Sequence, residues 1–545
     1  MDTFRKVDKA IQVKQEAGVR GTATRWSNKD LDPVPVNHRT WSALNVVSYW
    51  NSDQFAPATW DLGSALVGYG LTLKQAVPVS FFAFLCIGVV LSLNGRIGAL
   101  THCSFPVCAR APFGMVGAYI PILTLSSLIS GTKATDRVIS LQQGGNVVAV
   151  MIGAIWPSFN RIENTLPEGL GITTQTLVGF LLLWLVQAPL ACVPIHRIKV
   201  FFSIKAYVSI IAFFGFFVWS LVVTKGKGDI ISGAMDSSKF PGGSRGWAIV
   251  CGFNSVVGLY STVSVNISDF SRFSRSPKAN HWQILAVPVT GTIPIAIAMM
   301  CAEAAKQNYD KAIFDPASLC ALFDSRAARF FSSFAWVVMT IGVNLSANQL
   351  SFATDITSLM PRYVTILRGS ILASILCWAT CPWKIVTDAP SFLAFLGAYP
   401  VFLAPIATIM AVDFYIVRRG KVDVRELYEP QGLYWYQWGL NWRPFVAWVL
   451  ALAPNLPAFA HAIDPKNPDI QPFTYRFSWL FSTATAALWY LMINYCFSPK
   501  SSLLDEAVYE VSETSIARDS EEGIESKDPK KDDHDRPQTE VVAVL

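Results

Sequence analysis

The residues most able to do chemistry in this chain lie in one stretch, WVVMTIGVNLSANQLSFATDITSLMP, from Trp336 to Pro361. Its length and apolar character suit a bilayer crossing, yet it carries Asn344, Asn348, Gln349 and Asp355. At about 3.6 residues per turn, Asn344, Asn348 and Asp355 fall on one face of a helix. Amides and a carboxylate at membrane depth are costly unless they meet a partner, a cavity or a ligand. A lone Asn there commonly bonds a neighbouring helix. Three polar groups in register point instead to a polar pathway or a substrate site.

Two further spans carry polar groups and look interrupted. One reads SYWNSDQFAPATWDLGS, with Asn51, Asp53, Pro57 and Asp61; the other reads GLYSTVSVNISDFSRF, with Gly258, Asn266 and Asp269. A helix unwound at such a point frees N–H and C=O groups for a polar solute or a cation. The two interruptions lie five spans apart. Broken segments at matching positions of two halves point to a secondary-transporter site within a five-plus-five inverted repeat.

These segments are positioned by a chain of 545 residues that is 52% hydrophobic and 15% charged, against roughly 25% charged in soluble domains. Apolar runs of spanning length recur about twelve times between residues 44 and 497. This divides the chain into a cytosolic N-terminal segment (1–43), a transporter domain (44–497) and a polar, disordered cytosolic tail (498–545). The first forty residues lack an apolar run, so the first span is expected to act as its own insertion signal.

Basic residues cluster in alternate connections: Arg96 and Arg110, Arg197 and Lys199, Arg272, Arg275 and Lys278, Arg362 and Arg368, then Arg418, Arg419, Lys421 and Arg425. The positive-inside rule places these loops and both termini in the cytoplasm. They account for the net charge of +6, so no nucleic-acid partner is implied. The ten cysteines and six histidines show no metal-type spacing. No P-loop, dinucleotide fingerprint or nucleophile–base constellation is present, which argues against an enzyme, a cofactor or ATP-driven transport.

Several motifs together resemble the nucleobase:cation symporter family, in its fungal uracil, allantoin, uridine and thiamine permease branch. They are NKDLDPVPVNHRTW (Asn28–Trp41), FPVCARAPFG (Phe105–Gly114), IWPSF (Ile155–Phe159), VNISDFSRF (Val265–Phe273), GVNLSANQLSFATDITSLMPRYVTILRG (Gly342–Gly369), FLAFLGAYPVFLAPIATIMAVDFYIVRRG (Phe392–Gly420) and LNWRPFVAW (Leu440–Trp448). The resemblance implies an all-α polytopic membrane protein with a leucine-transporter-like fold, broken helices 1 and 6, and proton-coupled uptake across the fungal plasma membrane. It implies that the Asn348 amide bonds the ring of a small heterocycle, offering donor and acceptor to a lactam edge. Tyr260 falls where an aromatic ring stacks beneath the substrate, and Asn344 lies toward the cation region. Phe392, Phe395 and Leu396 resemble the gate on the tenth helix.

The coupling ion follows from what is missing. Sodium-coupled relatives place two hydroxyls on the eighth helix just before Asn344, where this chain has Gly342 and Val343. A hard cation wants oxygen ligands, so protons are expected, with Asp355, Lys205, Asp53 and Asp61 as candidate carriers. An ammonium at Lys205 could occupy the vacated cation site; its alternative is to snorkel to the interface.

One segment departs from the family. The third helix should carry a Trp followed four residues later by Gln, but Ile122–Val148 reads ILTLSSLISGTKATDRVISLQQGGNVV. Lys133, Asp136 and Arg137 would each cost on the order of 3 kcal/mol at the bilayer centre. The stretch reads as a shifted exon boundary. Taken as written, it leaves a transport-deficient sensor or non-functional homologue as the alternative to a symporter.

Overall fold

The computed structural model describes residues 24–126, 132–167, 170–193, 195–228, 237–311, 313, 315–379, 383, 389–463, 467 and 472–509, with 8, 12 and 13; side chains at 126–139, 195–200, 202, 237, 389–395, 398–399, 463 and 472 fall outside it. The described chain is almost wholly helical, with isolated bridges such as Trp41 to Ser274 as its β pairing. Among the described residues, six stretches are long and apolar enough to cross a membrane: Leu73–Thr101, Ser203–Thr224, Pro277–Tyr309, Arg326–Leu359, Pro400–Val417 and Trp442–Ala462, with two shorter apolar helices besides. The protein is a multi-pass membrane protein.

The first interruption follows from one proline. Helix α1 (Ala43–Gln54) stops and α2 (Pro57–Leu66) begins with Pro57 at its first position, while Ala56 is extended at φ −147°, ψ 160°. Proline clashes with a helical residue before it and fits where no N–H is needed, so AP both ends one helix and starts the next. The second interruption sits at a single residue. Tyr260, at φ −107°, ψ 10°, separates α7 (Arg245–Leu259) from α8 (Ser261–Asn266). The sequence suggested Gly258, Asn266 and Asp269. Gly258 instead lets the backbone of Leu396 approach so closely that a Cβ would strike its carbonyl oxygen. Asp269 is used structurally, accepting from the Phe105 N–H at 2.9 Å.

Around these breaks pack α3 (Leu73–Thr101), α4 (Thr132–Ile155), α5 (Thr174–Leu190), α6 (Ile195–Thr224) and α9 (Gln283–Tyr309). Then come α10 (Arg326–Val343), α11 (Leu350–Leu359), α12 (Ile366–Ala379), α13 (Ala389–Val412), α14 (Trp442–Leu452), α15 (Leu456–Ile463) and α16 (Ser478–Cys496). The most extensive packing pairs α3 with α9 and α4 with α10. Asn94 of α3 ties the second broken span to α13, its amide donating to Ser264 O at 2.8 Å and Ala407 O at 3.1 Å.

Basic residues expected in solvated loops are partly structural. Arg110, Arg272 and Arg418 are buried. Arg110 donates to Leu427 O, and Arg418 pairs with Asp413 at 2.7 Å. The Asn28–Trp41 segment crosses this face as a strap. The Asn28 amide donates to Pro361 O and Val364 O, the Asp30 carboxylate accepts from Ile366 N–H, and Tyr428 donates to Leu31 O. The disordered tail placed from residue 498 starts too early, because 498–509 are packed on the body. Val508 pairs with Val422 and Val424, and Arg418 donates to Ser502 O at 2.7 Å.

Candidate functional site

The Asn344 stretch is not a continuous α-helix. Between α10 and α11, residues Asn344–Gln349 form a π-helical turn. Such turns insert one residue into the helix, and they recur at functional sites. One inserted residue turns everything beyond it by about 100°, which takes Asp355 off the Asn344–Asn348 face that α periodicity assigned to all three. Asn344 and Asn348 stay together: the Asn348 amide donates to Asn344 Oδ1 at 2.9 Å.

A residue the sequence reading passed over completes this edge. Gln187, near the end of α5, accepts the Asn344 amide on Oε1 at 3.3 Å. One turn on, Ala191 O accepts from Gln349 Nε2 at 2.9 Å. The end of α5 thus holds the π turn at both of its ends. A lone Gln within LVGFLLLWLVQAPL was the available signal, since an amide in so apolar a run needs a partner.

Tyr260 joins the two breaks. Its hydroxyl lies 3.2 Å from the Thr59 hydroxyl in the first turn of α2, and its ring meets Trp50 and Phe84 edge-on at 5.6 and 5.7 Å. Trp50 is itself fixed by a 3.0 Å bond from its indole N–H to Gln283 Oε1. Beside them, Gln54 at the end of α1 accepts from Thr290 on α9, and its Nε2 has no partner among the described residues. On the other side of the break, Trp60, Phe213, Phe216 and Trp336 form a buried aromatic box, with Trp60 and Trp336 centroids 5.3 Å apart.

The ionisable residues divide. Lys205 of α6 is 0% exposed, so it does not snorkel. Its methylenes lie on Gly342, where a Cβ would collide with Cδ and sit 3.0 Å from Cε. Its Nζ has no hydrogen-bond partner among the described residues, and α6 packs against α1, whose last turn carries Asp53. Asp53 is buried and equally short of a partner at Oδ1. Asp61 of α2 is buried elsewhere, bonded by Gln143 of α4. Asp355 is buried in α11.

Of the three gate residues, Leu396 is buried against the second break. The side chains of Phe392 and Phe395 lie outside the described residues, as do those of Lys133, Asp136 and Arg137. Neither Trp nor Gln stands at the positions the family pattern calls for; Gln142 and Gln143 of α4 lie close by. Gln142 bonds Asn146 at 3.0 Å.

The site therefore combines an amide edge, a tyrosine bridging two helix breaks, and a buried lysine and a buried aspartate on the packed helices α6 and α1. A flat polar ring and a monovalent charge are the ligands it suits. Comparison with known proteins agrees with this chemistry. The family model "Permease for cytosine/purines, uracil, thiamine, allantoin" matches residues 33–481. An uncharacterized permease of Schizosaccharomyces pombe is 31% identical over 500 residues, spanning 90% of this chain and 83% of its own. The allantoin permease of Saccharomyces cerevisiae is 30% identical over 501 residues, spanning 88% and 78%. In fold, the chain is similar to Mhp1, a nucleobase-cation-symport-1 family transporter solved in a closed conformation with bromovinylhydantoin bound. That likeness has a TM-score of 0.65 at 18% identity, covering 90% of this chain and 99% of Mhp1.

Proposed function

We propose that this chain, which belongs to the family of permeases for cytosine/purines, uracil, thiamine and allantoin, takes up a uracil- or allantoin-like heterocycle with protons by alternating access. The observation that carries the reading is the Asn344–Asn348 amide edge on a π turn, in a site where Tyr260 ties together two broken helices. The amide edge recognises lactam or ureide groups, Tyr260 offers its ring face, and Phe392, Phe395 and Leu396 close over the substrate.

The coupling proton is carried among Asp53, Lys205, Asp61 and Asp355. What supports protons over sodium is that Gly342 and Val343 bring no hydroxyl, and that Lys205 fills the space against Gly342. Two spans broken five apart, and the pairing of α3 with α9 and α4 with α10, support a five-plus-five repeat within about twelve spans. The transporter domain from residue 44 onward spans the plasma membrane, with both termini cytoplasmic.

Uptake of radiolabelled uracil, allantoin, uridine and thiamine in a permease-deficient yeast tests this. Saturable uptake of one of them, abolished by an uncoupler and indifferent to replacing sodium, is expected. Absence of uptake for all four overturns the transport reading, and sodium-dependent uptake overturns the coupling assignment.

A further inference from the structure

We propose that Gln187 is a positioning residue that fixes which atom of Asn348 faces the substrate, acting through Asn344; this rests on the transport reading above. A primary amide has one accepting oxygen and one donating NH2. In a chain of amides, the orientation of one therefore dictates the next. Gln187 Oε1 accepts from Asn344 Nδ2, and Asn344 Oδ1 accepts from Asn348 Nδ2. One of the two Asn348 N–H groups is thereby engaged, and its Oδ1 is left free as an acceptor on the side away from the relay. Asn348 is also the amide with residual exposure, 8% against 0% for Asn344 and 1% for Gln187. The site then presents an acceptor, and the ligand must bring an N–H.

A glutamine serving only to glue α5 to α10 would be expected to use both ends of its amide. Gln187 Nε2 is buried with no partner among the described residues, so the oxygen is the end that matters. The Ala191 O bond to Gln349 holds the other end of the π turn, which keeps Asn344 and Asn348 in the register the relay needs. Reversing the polarity of Asn348 would require all three amides to turn over together.

The test uses whichever of labelled uracil or allantoin the wild type takes up, with unlabelled parent and ring-N-methylated derivatives as competitors. Gln187→Met should raise KM about fivefold, the loss of roughly one buried hydrogen bond, at unchanged surface level. It should also shrink the preference for N–H over N–CH3 competitors, which a purely structural defect would not do. Gln187→Asn, one methylene short of reaching Asn344, should behave like Met. In an Asn348→Ala background, Gln187→Met should change KM no further.

Unchanged KM and preference in a surface-expressed Gln187→Met protein, or additivity with Asn348→Ala, overturns the assignment while leaving transport intact. If Gln187→Met fails to reach the surface, Gln187→Asn decides: wild-type KM and preference in that variant overturn the assignment. A wild type that transports neither compound overturns the assignment, and one that transports none of the four overturns the transport reading as well.

Discussion

Replacing Gly342 by alanine tests the contact on which the coupling argument turns. The added Cβ would collide with Lys205 Cδ, while Cε and Cγ lie only 3.0 and 3.1 Å away, against about 3.5–4.0 Å for unstrained carbon pairs. Three consecutive carbons of one buried side chain must therefore move. Lys205 is 0% exposed, so its side chain, ammonium included, must shift within a packed interior. Overpacking of this kind costs about 1–3 kcal/mol. If that falls on the conformation able to take up the proton, uptake drops about 5- to 150-fold, at 1.4 kcal/mol per factor of ten. The assay is initial uptake rate normalised to surface protein, with and without uncoupler. Gly215→Ala, where a Cβ meets nothing within 4 Å, is the control on the same helix as Lys205. Adding Lys205→Ala to Gly342→Ala should relieve the overlap, read as thermal stability in detergent above that of Gly342→Ala alone, but not restore uncoupler-sensitive transport. Wild-type uptake in Gly342→Ala, or full recovery of coupled uptake in the double variant, would refute the reasoning.

Three other outcomes follow from single contacts. Tyr260→Phe removes the hydroxyl that meets Thr59; losing about 0.5–1.5 kcal/mol should weaken substrate affinity roughly 2- to 12-fold, measured as KM, with an unaltered KM speaking against a link between the two breaks. Arg418→Leu leaves Asp413 buried and unpaired, since the pair is at most 3% exposed. A loss of about 3–5 kcal/mol should eliminate the monodisperse peak in fluorescence-detected gel filtration, and a normal peak would refute the weight given to this pair. Truncation after Tyr509 should leave thermal stability and uptake unchanged, whereas truncation after Phe497 removes the Ser502 and Val508 contacts and should lower the melting temperature. Equal melting temperatures would show that the 498–509 segment does not brace the body.

The sequence made the interruptions legible to different degrees, and the difference has a physical basis. Pro57 breaks its helix by its own covalent structure, so the first break could be placed from the letters alone. Tyr260 has no such intrinsic bias; its joint is made by what surrounds it, namely Thr59, Trp50 and the close backbone of Leu396. The tail boundary was misplaced for a related reason. Residues 498–509 hold on through backbone bonds to Val422 and Val424 and through carbonyls offered to Arg418, and a hydropathy pattern does not register backbone pairing.

The π turn is the hardest case, and the most consequential. Asn344 and Asn348 were visible as polar letters four apart, which a regular helix already brings together. Nothing local announces the extra residue that swings Asp355 away from them. That residue is held in place by bonds from Asn344 to Gln187 and from Gln349 to Ala191, more than 150 positions earlier in the chain. Separating Asn348 from Asp355 also separates two tasks. An amide edge that shares no face with a carboxylate can bind a neutral ring without its hydrogen bonds changing each time that carboxylate gains or loses a proton. Coupling between ligand and proton then has to run through the helix breaks, where Asp53 and Gln54 end α1 next to the joint that Tyr260 closes. For that reason the Gly342→Ala and Tyr260→Phe variants should differ in kind: the first in uncoupler-sensitive rate at little changed KM, the second in KM at preserved coupling. Identical kinetic signatures from the two would mean that substrate and proton sites are one.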